Sequence, residues 1–312
     1  MQKNPLGPTG LSVTPVCAGT SALGNFPSQY GYEVSTEQAV ETLIRVFDGP
    51  LNFLDTSNNY FDAERRIGLA LKEVGGLPPD FVLATKVDPL HGSTDFSGAR
   101  VRASVEESLQ RLGLERLQLV YLHDPEQLSF DAALADGGPV QELVKLQQEG
   151  VIDNIGVAGG PVDLMMRYLE LDMFQAIISH NRYTLVDSSA HVLIEEAGRR
   201  QVAFVNGAPY GGGMLVKGPA KQPNYCYQPA SDAVLSRVAA MEAACQLHEV
   251  PLAAAALQFS LRNSGIASTM VGMSTPDRVK QTLELADWPI PEELWSELEP
   301  LAVPGRQGVL ED

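Results

Sequence analysis

The chain is poor in cysteine: three residues in 312, Cys17, Cys226 and Cys245, with no CxxC or HxxxC spacing. An odd, scattered set like this specifies neither a disulfide framework nor a zinc site. Long apolar runs are missing too. No stretch approaches the ~20 uninterrupted apolar residues of a membrane helix, and the opening Met1-Gln2-Lys3-Asn4-Pro5 has no signal-peptide core. Basic residues are also scarce, 22 Lys and Arg against 39 Asp and Glu, for a formal charge of −17. Nucleic-acid binding needs a basic footprint, which is absent. A cytoplasmic protein with a small-molecule ligand, and neither membrane nor nucleic acid as partner, is the expectation. No motif specifies an oligomeric state.

What the sequence does contain is a regular alternation. Eight short runs dense in Val, Ile, Leu and Phe fall at 13–18, 52–56, 81–87, 117–123, 153–158, 174–180, 202–209 and 268–273. They show little polar alternation, as parallel strands buried on both faces do. Amphipathic helical stretches separate them. The first has Ser35 as N-cap with Gln38 in the capping-box position; others stop at Gly75-Gly76 and at Gly113. Two helices, 231–246 and 253–261, follow the seventh run, after a long polar loop at 211–230. Eight β/α units in one domain, residues 1–312, predict an α/β fold of the (β/α)8 TIM-barrel type. An open doubly wound sheet would announce itself by GxGxxG after the first strand. Here that strand runs into Gly19-Thr20-Ser21-Ala22-Leu23-Gly24 instead. Residues 6–14, turning at Thr9-Gly10, are expected to form an N-terminal β-hairpin at the bottom of the barrel, and the chain to finish in a short C-terminal tail.

Active sites of such barrels sit where strands end and βα loops begin. Asp55 closes the second strand, Tyr60 lies in the loop after it, Lys86 lies in the third strand, and His123 ends the fourth. A lysine among apolar neighbours needs a counter-charge, and Asp55 is one strand away. A tyrosine with an ordinary pKa of ~10 exchanges protons poorly near neutrality, and a nearby ammonium lowers that value. The set suits general acid–base chemistry on a carbonyl or carbinol. It offers no nucleophile and no metal-ligand set, and a hydride acceptor would have to come from a cofactor. Asp124, beside His123, suits a polyhydroxylated substrate. His91, His191 and His248 fall outside any cluster.

Several separated segments carry a resemblance to a known family. They are Leu6-Gly7-Pro8-Thr9-Gly10-Leu11-Ser12-Val13, Asn52 to Tyr60, Ala84-Thr85-Lys86-Val87, Ser104 to Gly113, Asp153-Asn154-Ile155-Gly156-Val157 and Ala208-Pro209-Tyr210-Gly211-Gly212-Gly213. The chain resembles the aldo-keto reductase superfamily nearly end to end. Within it, His123-Asp124-Pro125-Glu126 and His180-Asn181-Arg182-Tyr183 look like L-fucose and D-threo-aldose 1-dehydrogenases and pyridoxal 4-dehydrogenase. The resemblance implies an NAD(P)-dependent barrel enzyme with Asp55, Tyr60, Lys86 and His123 as catalytic residues. Tyr60, His123 and Asp124 would contact the substrate. The implied cofactor shell is Gly19, Thr20, Asp55, Gly159, His180, Pro209, Tyr210, Gly211, Gly213, Gly272, Ser274 and Arg278. The implied reaction is oxidation of an aldose at C1 to the lactone; alternatives are aldehyde or ketone reduction, pyridoxal oxidation, or a cofactor-binding regulatory subunit.

The chain departs from the family in places. Ala158-Gly159 replaces a Ser-Asn pair that binds the nicotinamide carboxamide, His180 replaces a glutamine, and Gly207 replaces a tyrosine that stacks on the nicotinamide, leaving Tyr210 to support that ring. The loop after Tyr60 is shortened. Around Gly272 to Arg278, where NADP-selective relatives carry several cations, only Arg278 is basic, which favours NAD or dual use on charge grounds.

Overall fold

The computed structural model describes residues 1–302; residues 303–312, the last part of the expected tail, lie outside the described residues. Eight parallel strands close into a barrel: β1 (Val16–Gly19), β2 (Phe53–Asp55), β3 (Val82–Val87), β4 (Leu117–His123), β5 (Ile152–Gly159), β6 (Ala176–His180), β7 (Ala203–Gly207) and β8 (Ser268–Gly272). Neighbours in the chain are neighbours in the barrel, and β8 pairs with β1 to close it. This is the expected (β/α)8 architecture. The first strand starts later than expected, because Val13 pairs with Asn4 in the hairpin and Pro15 offers no ladder N–H. The seventh ends sooner, because Ala208 turns into a left-handed conformation, φ 55°.

Helices cover the outside: α1 (Thr36–Phe47), α2 (Ala63–Val74), α3 (Gly98–Leu112), α4 (Pro139–Gln148), α5 (Val162–Leu169), α6 (His191–Arg199), α7 (Asp232–Leu247), α8 (Leu252–Leu261), α9 (Pro276–Ala286) and α10 (Glu292–Leu298). Ser35 caps α1 by accepting the Gln38 N–H, and Gly113 ends α3 in the left-handed region. The loop at 211–230 has its own structure, a short helix (Met214–Lys217) and a two-stranded ribbon pairing Asn224–Tyr225 with Gln228–Pro229. Among the described residues no helix is long and apolar enough to cross a membrane.

The barrel interior explains where the chemistry sits. Cys17, Phe53, Ala84, Tyr121, Ile178 and Val205 form one buried cluster, distinct from the larger one between strands and helices. Side chains in a strand alternate, so a residue two positions on shares the same face. Two positions on from these six lie Gly19, Asp55, Lys86, His123, His180 and Gly207. The upper layer of the barrel is therefore polar or open where the layer below is apolar. At the other end Leu6 and Val13, both fully buried, join the interior cluster, so the hairpin plugs the bottom. A cavity of about 1000 Å³ opens against that hairpin and contains none of the polar upper layer.

Helices α2 and α3 must approach closely to hold the loop that precedes α2. Gly68 makes this possible: a Cβ there would lie 2.0 Å from the Arg111 carbonyl oxygen. Gly68→Ala is expected to overpack this contact and to cost about 1–3 kcal/mol, read as a lower thermal midpoint.

Candidate active site

The site is built from the bottom of its polar layer upward. Lys86 and Asp55 are almost completely buried. The register sets Asp55 opposite Ala84 of β3, which brings the two side chains together across the barrel wall. The Lys86 ammonium donates to Asp55 Oδ1, to the Thr56 carbonyl at 2.7 Å and toward the Tyr60 hydroxyl at 3.5 Å. All three N–H directions are thus accounted for. The ammonium also lies 4.8 Å from the centroid of the Tyr60 ring.

Tyr60 is positioned by its loop. The Tyr60 carbonyl accepts the Ala63 N–H at 2.9 Å as α2 begins, and Gly24 packs against it so closely that a Cβ would come within 2.1 Å. Glu64, fully buried, pins the start of α2: it accepts from the Thr85 hydroxyl at 2.7 Å and pairs with Arg111 at 3.3 Å. Arg111 in turn donates to the Asn58 carbonyl at 3.1 Å. The shortened loop is therefore braced by β3 and α3, and it delivers the phenol to Lys86.

The electrostatic expectation for Tyr60 is overturned. Its pKa is not lowered by Lys86 but raised well above the ordinary value, first by burial and then by the carboxylates of Asp55, Asp124 and Asp88. The charge of Lys86 is already answered by Asp55. In this state the phenol keeps its proton.

His123, which ends β4, presents two different nitrogens. Nδ1 lies 2.6 Å from Asp88 Oδ1, and the Ser57 hydroxyl donates to the other Asp88 oxygen. Nε2 lies 3.6 Å from Asp124 Oδ1, beyond hydrogen-bond length. Burial pulls the His123 pKa down, but Asp88 and Asp124 more than offset it, and the net shift is upward. Asp124 is half-exposed and lies 3.3 Å from His180 Nε2. Its carboxyl is held well below the usual range: burial opposes ionisation, and His123 and His180 overcome it. Tyr60 meets His123 edge-on, ring centroids 5.7 Å apart. Glu126 accepts the Gly160 N–H at 3.2 Å. Asp124, Glu126 and His180 bring ligand-type atoms within 4.8 Å of one another, though each already has a protein partner.

Asp88 and Ser57 were not among the expected residues. Asp88 lies two positions after Lys86, just past the end of β3, a signal present in the sequence; its partner is 35 residues away. The other histidines stay apart from this set. His91 stacks on Phe61 with centroids 4.3 Å apart, His191 pairs with Glu195, and His248 with Glu297.

The expected cofactor positions ring the same barrel end. Gly19 pairs in register with both Asp55 and Gly272, Gly159 with Ser179, and His180 with Gly207. The Thr20 hydroxyl donates to the Asp55 carbonyl at 3.0 Å. Three residues just past strand ends, Asp124, Asn181 and Ala208, have φ of 41°, 63° and 55°. Left-handed backbone is rare for such residues and concentrates at functional sites. Pro209 and Tyr210 lead from there into Gly211–Gly213, all three with positive φ. Ser274 accepts from Gln38 through its carbonyl, and Arg278, in α9, donates to Gln281 at 2.9 Å. No hydrogen bond among the described residues links Tyr210, Gly213, Ser274 or Arg278 to the tetrad.

The sequence profile of the Aldo/keto reductase family matches residues 15–302. The chain belongs to this family. It is 30% identical to D-threo-aldose 1-dehydrogenase of Pseudomonas sp, over 93% of this chain and 94% of that one. It is 33% identical to L-galactose dehydrogenase of Arabidopsis thaliana, over 96% and 93%, and 26% identical to pyridoxal 4-dehydrogenase of Microbacterium luteolum, over 95% and 96%. Among solved structures, the holo form of aldo-keto reductase AKR11C1 from Bacillus halodurans superposes with a TM-score of 0.79 at 24% identity, covering 97% of both chains, a likeness of fold.

Aldo/keto reductases are oxidoreductases that use NAD(P)H. This member has features that fit such a group. Asp55 Oδ2, Asn181 Oδ1 and the Tyr210 hydroxyl are buried with no protein partner among the described residues, and buried polar atoms of this kind call for one. Nothing lies within 4 Å of a Cβ built on Gly213 or Gly272, which leaves open room beside both. Gly24→Ala tests the placement of Tyr60 in this aldo/keto reductase. The added methyl should displace the Tyr60 carbonyl and lower kcat on the order of 10²-fold, with nicotinamide cofactor affinity, measured by fluorescence titration, kept near wild type.

Proposed function

We propose that this aldo/keto reductase is an NAD(P)-dependent dehydrogenase that oxidises an aldose at C1 to the lactone, with Tyr60 exchanging the hydroxyl proton. The observation that carries the reading is the polar bowl beside Tyr60, where His123, Asp124 and His180 crowd together at the mouth of the barrel. Such a bowl suits a substrate rich in hydroxyls. Two relatives named for sugar oxidation, matched over nearly the whole chain, support it.

The charges narrow the substrate further. Lys86 is neutralised by Asp55, and His123 faces both Asp88 and Asp124. Asp124 stays ionised. Among the described residues of this bowl, Lys86 and His123 already face carboxylates, which favours a neutral sugar over a sugar phosphate or uronic acid. A nicotinamide, when bound, would be the hydride acceptor. The chain's part is to hold the substrate hydroxyl between Tyr60 and His123 and to take its proton. Arg278 is the one basic residue from Gly272 to Arg278, and Lys280 faces Glu284 at 3.7 Å, so positive charge for a 2′-phosphate is sparse, which supports NAD or dual use.

One observation favours a second reading. A phenol held protonated is ready to donate to a carbonyl oxygen, which is the need of an aldehyde or ketone reductase.

Turnover should be screened on L-fucose, L-galactose, D-arabinose, L-xylose, pyridoxal and simple aldehydes with both cofactors. Sugar oxidation in preference to aldehyde reduction is the expected result. Cofactor binding with no turnover on any of them would instead indicate a regulatory subunit. Tyr60→Phe should reduce turnover by about 10²–10⁴-fold and leave cofactor binding near normal. Retained activity would remove Tyr60 from its role.

The raised Tyr60 pKa gives a sign for the pH dependence. Oxidation needs the phenol deprotonated, so its rate should climb into the alkaline range, while reduction, which needs the proton, should fall there. Asp124→Ala should raise the sugar KM; an unchanged KM would take Asp124 out of substrate binding.

A further inference from the structure

Asp88 lies outside the tetrad but touches it. It follows β3 by one residue and is fully buried. One carboxylate oxygen is 2.6 Å from His123 Nδ1, and the other accepts the Ser57 hydroxyl. The Asp88 backbone is held as well: its carbonyl accepts Arg100 Nε at 3.2 Å, and its N–H points to Ser104 Oγ at 3.4 Å. Arg100 cannot easily turn to the carboxylate, because Glu107 holds its two terminal nitrogens at 2.8 Å each.

This geometry fixes where the imidazole hydrogens go. An ionised carboxylate only accepts, so a short Nδ1 contact requires hydrogen on Nδ1. The remaining nitrogen, Nε2, makes no hydrogen bond and has only Asp124 near it, at 3.6 Å. The other charged or titratable groups around the ring are the mutually paired Lys86 and Asp55, the edge-on Tyr60, and His180 beyond Asp124.

We propose that Asp88 is a positioning residue: by accepting the Nδ1 hydrogen of His123 it fixes the ring so that Nε2 is aimed at the substrate oxygen. This rests on the reading above, in which His123 contacts the substrate. Asp88 is also among the causes that shift the His123 pKa upward against its burial. Ser57, donating to the far oxygen, keeps the carboxylate from rotating away. The arrangement resembles the outer partners that orient histidines in metal and hydrolase sites.

The test is a ¹⁵N-histidine NMR titration of the full chain, with the His123 signals assigned by His123→Gln. In the wild type, His123 should titrate above the ordinary value of ~6.5 and carry hydrogen on Nδ1. In Asp88→Asn its titration should fall by about 1–3 units, with the Nδ1 hydrogen no longer fixed. Ser57→Ala, which leaves the charge in place, should cause a smaller fall in the same direction. It carries the test if Asp88→Asn does not fold. Asp88→Glu should restore part of the shift.

On whichever substrate the screen identifies, Asp88→Asn should lower kcat roughly tenfold or more with KM little changed, and the pH profile should move with the NMR titration. A His123 titration and hydrogen placement unchanged in Asp88→Asn, or unchanged in Ser57→Ala where only that variant folds, would overturn the proposal. Because the titration needs no substrate, it separates this outcome from a failure to oxidise sugars.

Discussion

The upper half of this barrel depends on one buried ion pair, Lys86 with Asp55. Removing two charges from water costs several kcal/mol per ion, and only close pairing with further hydrogen bonds offsets it. The pair has both: the strand register sets Asp55 beside β3, and the Thr56 carbonyl takes a second ammonium hydrogen. The Tyr60 ring then lies over the ammonium, held by a loop that Gly24, Glu64 and Arg111 brace from three sides. Loss of either member of the pair would leave an uncompensated charge in the barrel, so the geometry of the tetrad and the stability of this region are one problem.

The charge of Lys86 is answered by Asp55, which leaves Tyr60 little electrostatic help. Around the phenol the polar groups lie in close pairs: Asp55 with Lys86, Asp88 with His123, and Asp124 3.3 Å from His180. Desolvation and the three carboxylates then dominate the phenol, which stays protonated. Proton exchange at such a group responds to whatever positive charge arrives near it. The protein supplies a protonated acid at rest, in a mouth that is acidic on its other side.

Much of this was legible in the sequence. Apolar runs alternating with amphipathic helices indicated the barrel, and the two-residue period within strands put Asp55, Lys86 and His123 on its inner face. Gln38 and Ser35 marked a helix start that the fold uses. Other features depend on contacts between distant segments. The role of Asp88 requires His123, which belongs to the next strand, and the bracing of Tyr60 joins Glu64, Thr85 and Arg111 from three elements. The direction of the Tyr60 shift was misread because a lysine close by looks like a free positive charge until its counter-ion and its burial are known. The loop at 211–230 reads as polar and irregular, yet it contains a short helix and a ribbon whose pairing is too brief to leave a periodic signal.

The left-handed turns at Asp124, Asn181 and Ala208 have a consequence for how this barrel can vary. Each holds a side-chain-bearing residue in a conformation that glycine adopts more cheaply, at a cost of order 1–3 kcal/mol. Two of them extend the ladder by one step, Asp124 to the Ala158 carbonyl and Asn181 to the Gly207 carbonyl. The rim therefore trades folding free energy for aim. Glycine at these positions would relax the backbone but remove the side chains that line this rim, so thermal resistance and the chemical character of the barrel mouth pull opposite ways at the same residues.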